Sequence, residues 1–387
     1  MLKYNMMNTF NPLFAFVAFG IALLAGQLIN SRYKLEINPS RNLSIDGLRG
    51  FLAVGVFINH SSVWYRYLHT GDWLNAVSNF YNQLGSACVA IFFMITAYLF
   101  VNKLLNTKDK YDWNSFFISR FFRLGPAYYF SFFLILCVIF IIDKQLNVGI
   151  IQFFLSLGHW LLFTTFNNPF INENGYTKII NAGVLWSLRY EWLFYFSLPF
   201  ISIPILKKLP PIKIIFFCII FLVVFFKYRS IDINHIYSFF GGAIAPFLIR
   251  YTKKNFDTKL ISTFVILCFL AIPFFHSSDH IVSKILLIIA FNLIALGNTI
   301  FGILKKPFLI FLGEICYSTY LLHGILLFIT FHLIIGRTTA IHFSELQYWL
   351  CIFVLTPFVI LISFLSFIYI ENPGMNLSRK ITKKLRK

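Results

Sequence analysis

The sequence predicts an all-α, polytopic membrane protein, and three observations predict it. Of 387 residues, 58% are hydrophobic and only 12% charged, against about 25% charged in an ordinary soluble domain. Apolar runs long enough to cross a bilayer recur along the whole chain. The Lys and Arg residues behind the net charge of +19 gather in the short gaps between those runs, which is the topology signal of membrane proteins. Lipid also accommodates the fifty Phe, too many for a soluble core of this size.

Taken in order, spans are expected near 11–30, 47–67, 84–103, 117–142, 184–206, 212–227, 234–250, 259–275, 282–303, 309–335 and 347–370. The first has no small-residue cleavage site after it and reads as a retained span rather than a signal peptide. The segment 150–166 is apolar but short and carries Ser156, Gly158 and His159. Six gaps are basic: around Arg32, Lys34 and Arg41; from Lys103 to Arg123; at KKLPPIK; from Arg250 to Lys259; at Lys305 and Lys306; and in the tail SRKITKKLRK. All six face the cytoplasm only if 150–166 does not cross. The expectation is therefore eleven spans, an outside N-terminus, an inside C-terminus, and a re-entrant or interfacial piece at 150–166. The polar gaps, the longest being 31–46, 68–83, 104–116, 167–182 and 336–346, are each too short to fold alone.

Several function classes are excluded by what the chain lacks. No basic face is interleaved with stacking aromatics, so nucleic acid is not an expected partner. The six Cys lie in or beside apolar runs without zinc spacing, and no set of His has metal-site spacing either. No Gly-rich phosphate loop, GxSxG elbow or HExxH occurs. No metal and no permanently bound cofactor are expected.

The chemistry-bearing residues sit inside the apolar runs. Arg49 and His60 are eleven residues apart in RGFLAVGVFINH; on a helix they return to within about 20° of each other and differ by roughly 16 Å in height. A guanidinium at the water edge then has an imidazole above it near mid-bilayer, where an ionisable group is by default functional. The bland reading of His60 is a ring satisfied by neighbouring backbone; the functional one is a general base. Asp46 most simply caps a helix beginning at Gly47. Arg120 and Arg123 share a helix face. They are either flanking positive charge or, with Arg41 and Arg49, a mouth that chelates phosphate. Glu191 lies five residues into LWSLRYEWLFYF, with Ser187 and Tyr195 on its face. It either pairs locally with Arg189 or orients a catalytic His or a hydroxyl acceptor. His323 follows Cys316 and Tyr320 roughly on one stripe, as a structural hydrogen-bonding group or a site residue. Glu371, before Asn372 and Pro373, reads as a helix-end contact.

Six segments in order, SIDGLRGFLAVGVFINH, VAIFFMITAYLF, ISRFFRLGPAYY, LWSLRYEWLFYF, YSTYLLH and IENP, resemble membrane-bound acyltransferase family 3, the bacterial polytopic O-acyltransferases of O-antigen, capsule, exopolysaccharide and peptidoglycan. The resemblance runs from about Ser40 to Pro373. It implies a core of about ten helices, so the span at 11–30 looks like one extra N-terminal transmembrane helix. The implied division is 1–37 (extra helix and linker), 38–373 (acyltransferase domain) and 374–387 (basic cytoplasmic tail). It implies an acyl-CoA donor, most often acetyl-CoA, a carbohydrate acceptor, free or lipid-linked, and residence in the bacterial cytoplasmic membrane. By the resemblance, His60 and Glu191 are catalytic, Arg49, Arg120 and Arg123 bind the donor, and Asp46, Trp186, Ser187, Tyr320 and His323 support the site or bind the acceptor. Where the family usually has Ser-Gly in its second helix this chain has Thr96-Ala97, so local packing there is expected to differ. Some members add a soluble esterase-like domain; this sequence ends about sixteen residues past Glu371, and the membrane part is expected to transfer the acyl group by itself. The rival classes are a polysaccharide flippase or polymerase and a small-molecule transporter, neither of which needs acyl-CoA.

Overall fold

The computed structural model describes residues 11–33, 41–76, 78–107, 111–206, 219, 231–252, 254–275 and 277–385. The expected span at 212–227 and the KKLPPIK gap lie outside the described residues. Those described are mostly helical, with no strand among them. In chain order the helices are α1 (Pro12–Arg32), α2 (Leu43–Thr70), α3 (Asn79–Leu105), α4 (Trp113–Asp143), α5 (Ile150–Leu161), α6 (Trp186–Leu206), α7 (Ile233–Tyr251), α8 (Lys259–Ala271), α9 (Ile281–Ala295), α10 (Pro307–Glu314), α11 (Cys316–Phe328), α12 (Glu345–Ser366) and α13 (Asn372–Leu385). Among the described residues, five stretches are long and apolar enough to cross a membrane: α1, α3, α4, α11 with the π turn after it, and the run from α12 through α13. The chain is an all-α, multi-pass membrane protein.

Two compact units divide it, residues 1–92 with 252–365, and 93–251 with 366–387. In the first unit α2 is the interior helix, with 20 of its 28 residues buried, so polar groups on it are held by protein rather than lipid. It can be so enclosed because α10 and the 3-10 turn before it, Ile303–Lys305, come very close: a Cβ at Gly47 would overlap the Leu304 carbonyl, and one at Gly313 the Asp46 carbonyl. Such backbone contact needs glycine. α1 uses the same device more loosely. Its buried stripe is Ala15, Ala18, Phe19, Ala22, Ala25 and Gly26, with Phe19 stacked 4.6 Å from Phe51, while Leu13, Phe16, Leu24 and Leu28 stay exposed, as on a lipid-facing side.

Three expected boundaries are corrected. Helix α2 starts at Leu43, where the Asn42 side chain accepts the Ile45 N–H. Asp46 is therefore not the cap but lies in the first turn. The expected span 282–303 is helical only to Ala295, because the turn after it is tied elsewhere: Asn298 donates to the Phe256 carbonyl, and the Thr299 N–H and hydroxyl both donate to Asp257. The expected span 309–335 is broken at Ile315, just after Gly313 meets α2 and Glu314 pairs with Arg41.

In the second unit, α5 is about 18 Å long, short of the roughly 30 Å hydrocarbon core. It buries Phe153, Ser156 and Trp160 and exposes Ile150, Ile151, Phe154 and Leu155. Trp160 holds it to α4: its carbonyl accepts the Tyr128 hydroxyl at 2.7 Å, and its ring stacks on Phe132 at 5.4 Å. The segment read as a basic tail is helix α13, packed on α4 with Gly374 against the Pro126 ring. It follows a π turn at Phe367–Glu371, where the Asn372 N–H bonds the Phe367 carbonyl. Pro373 accounts for the change of winding: its ring would strike the carbonyl four residues back in a regular helix.

Candidate active site

The first unit holds His60 and His323. Arg49 and His60 lie on one helix, α2, as their spacing predicts. His60 is partly exposed and His323, from α11, fully buried. Their rings are 5.0 Å apart, and His323 Nε2 is 3.0 Å from His60 Nδ1. His323 Nδ1 is 2.9 Å from the Thr319 carbonyl one turn back. Tyr320 lies beside them, its ring 6.2 Å from that of His323, and Asn59 donates to the Tyr81 carbonyl. Sequence reasoning found both histidines but not their pairing, because residues 263 apart carry no joint signal in one chain.

At the start of α2, Arg41 lies 2.7 Å from Asp46 and pairs also with Glu314, while Arg49 is 3.7 Å from Asp46. Two guanidiniums therefore meet two carboxylates. Glu314, which sequence reasoning did not select, offsets much of the positive field expected of Arg41 and Arg49.

The second unit holds a cavity of about 630 Å³, well within the range of small-molecule sites. Its wall comes from the last turns of α3, the first turns of α4, and α13. Among the described residues, Lys103, Arg120, Arg123 and Arg379 line it with the carboxylate of Asp112, and Ser115, Ser119, Ser378 and Thr382 add hydroxyls. Asp112 is itself engaged, accepting the Ser115 N–H at 3.0 Å as the α4 cap. Burial above all, with Asp112 beside it and Arg120 opposing, pushes the Tyr111 hydroxyl up to about 12. Tyr111 thus stays neutral and can donate. Clustered cations with hydroxyl donors suit phosphate or pyrophosphate.

Arg120 and Arg123, three residues apart, do different things. Arg123 is ion-paired with Glu371, which is fully buried at the end of the π turn. Arg120 sits 5.0 Å over the Phe100 ring and bonds the Tyr195 hydroxyl, which donates to Glu191. The four-residue spacing of Glu191 and Tyr195 is used as the sequence suggests, and their partner is a cavity residue. Ser187 donates to the Val184 carbonyl and is buried. Trp186 remains 39% exposed, 4.8 Å from the His235 ring, which sequence reasoning did not select. Lys103 and Arg379 were also missed as site residues, since in sequence they are indistinguishable from topology charges.

A family model described as an acyltransferase domain matches residues 42–368. The chain belongs to that family, acyltransferase family 3. Helix α1 precedes the matched region, and α13 follows it. Nodulation protein 10 of Rhizobium leguminosarum bv. viciae is 29% identical over 173 residues, 42% of this chain and 45% of that protein. A Staphylococcus aureus (strain COL) protein named "Putative O-acetyltransferase" is 26% identical over 364 residues, 81% of this chain and 56% of that protein. The chain spans about half the length of these curated relatives. No solved structure matches.

Proposed function

We propose that this family member transfers an acyl group, in the simplest case acetyl, from cytoplasmic acyl-CoA to a hydroxyl of a cell-surface carbohydrate such as O-antigen or capsule. The observation that carries the reading is the cavity of the second unit, where, among the described residues, Lys103, Arg120 and Arg379 face one capped carboxylate and Arg123 is already paired with Glu371. A polyphosphate end of a donor is the ligand such a wall fits. The printed name of the staphylococcal relative supports acetyl as the group.

In this reading Arg120, Arg123, Lys103 and Arg379 bind the donor phosphates. His60 is the base. It takes the proton of the acceptor hydroxyl as that oxygen attacks the thioester carbonyl, the carbon–sulfur bond breaks, and the leaving thiolate takes the proton from His60. Arg49 remains a donor-binding candidate beside Asp46, and Tyr320 and Trp186 remain acceptor candidates. Glu191 acts through Tyr195 on Arg120, which makes it a positioning residue for the donor. The chain lies in the bacterial cytoplasmic membrane with the cavity on the cytoplasmic side, where acyl-CoA is made.

The test is the mass of surface polysaccharide repeat units from strains with the gene, without it, and with His60→Ala. Loss of one acetyl mass per modified unit in both the deletion and the His60→Ala strain, with normal membrane levels of the variant, is the expected result. Full acetylation in the His60→Ala strain would sink the assignment of the base. Unchanged unit mass with altered chain length or export would favour a polymerase or flippase.

A further inference from the structure

The hydrogen bonds around the two histidines have a direction. A carbonyl oxygen has no proton to give, so the 2.9 Å contact with Thr319 places a proton on His323 Nδ1. In the neutral ring, Nε2 of His323 then carries a lone pair. A charged His323 would sit fully buried with the Thr319 and Tyr320 backbone and one imidazole as its polar partners, neutral groups against the desolvation cost of a buried charge. The 3.0 Å contact between His323 Nε2 and His60 Nδ1 therefore needs its proton from His60. Nδ1 of His60 is a donor, and Nε2 of His60 carries the lone pair.

We propose that His323 is a positioning residue: it fixes the tautomer of His60 so that Nε2 is the basic nitrogen, and it steadies the ring once that nitrogen is protonated. The inference rests on the acyl-transfer reading with His60 as base. When Nε2 takes the hydroxyl proton, the Nδ1–H of the resulting imidazolium donates to His323 Nε2, and charge makes that hydrogen bond stronger. The proton goes no farther than the pair, because the Thr319 carbonyl ends the line. The arrangement gives to a neutral imidazole the orienting part that a carboxylate plays in other triads. His323 is fully buried and acts through His60 rather than on the substrate.

Two measurements test this. In histidine-labelled protein in nanodiscs, nitrogen NMR in mildly alkaline buffer reads which ring nitrogen is protonated; the His60 signal is the one lost in His60→Gln. The expected spectrum has His60 protonated on Nδ1 and bare on Nε2. The opposite tautomer overturns the proposal, whatever the activity. Kinetically, His323→Leu removes the acceptor, whereas His323→Gln can offer an amide oxygen in its place. The Leu variant is expected to lose about 100-fold in kcat with KM for acyl-CoA within about twofold, and the Gln variant to recover to within about tenfold of wild type. Equal losses in the two variants overturn the positioning role. If the His323→Leu protein does not fold, the wild-type spectrum still decides. A wild-type protein with the expected tautomer but no acyl transfer would sink the functional reading alone.

Discussion

Arg120 touches the Phe100 ring, the Ser119 hydroxyl and the Tyr195 hydroxyl, and it lines the basic cavity. Among the described residues its direct contacts are to neutral groups, with Glu191 one hydrogen bond beyond Tyr195. Arg123, by contrast, gives its charge to Glu371. Arg120→Ala is therefore expected to raise KM for acyl-CoA by about 10- to 100-fold, the worth of a charged hydrogen bond, with a small change in kcat; a titration of donor against initial rate checks it. An unchanged KM would remove Arg120 from the donor site. At this scale the sequence made much of the site legible: Arg49, His60, Arg120, Arg123, Glu191 and His323 all stand out as ionisable residues in or beside apolar runs. Their partners were less visible. Tyr195 follows from helical spacing, but Glu314, Lys103, Arg379 and the His60–His323 pair depend on contacts between helices far apart in the chain.

At the scale of elements, the join of α4 and α13 is the most consequential. Glu371 is fully buried and paired with Arg123, which also lies 2.8 Å from the Met375 sulfur. Removing one partner of a buried pair leaves a desolvated charge and costs about 3–5 kcal/mol. Glu371→Ala is therefore expected to lower the unfolding temperature in detergent clearly. The double variant Arg123→Met, Glu371→Leu is expected to recover most of the loss. Equal stability of the single variant and wild type would show the pair to be dispensable. The end of this join was read from sequence as a tail because positions 374–387 are rich in Lys and Arg and poor in long apolar runs. Its buried positions are small ones, Gly374 and Ser378, and small residues leave no hydrophobic period to read. The long helices α1, α3 and α4 were legible to within a few residues, since their apolar runs are continuous. The break at Ile315 was not, because it lies in an apolar run and follows from what Gly313 and Glu314 touch on α2.

For the whole molecule, composition alone settled the class, and the charge pattern gives a topology that can be tested. A reporter fused after Lys208 is expected to read cytoplasmic, because α5 is too short to cross and the basic gaps then share one side. A periplasmic signal there would overturn the eleven-span arrangement and the proposed sidedness of the basic cavity together. What sequence reasoning could not supply was the division of labour between the two units. The histidines belong to one and the basic cavity to the other, and α3 and α12 each contribute residues to both.

The π turn before Pro373 holds one residue more than a regular helix needs. That residue works as a phase setting. Each residue turns a helix by about 100°, so one deletion between Phe367 and Glu371 would turn α13 as a whole and swing Arg379, Ser378 and Thr382 away from the cavity, while leaving its composition and amphipathic pattern untouched. The basic cavity is thus tuned by a count of residues as much as by their identity, and a chain could lose part of its lining without changing a single cation.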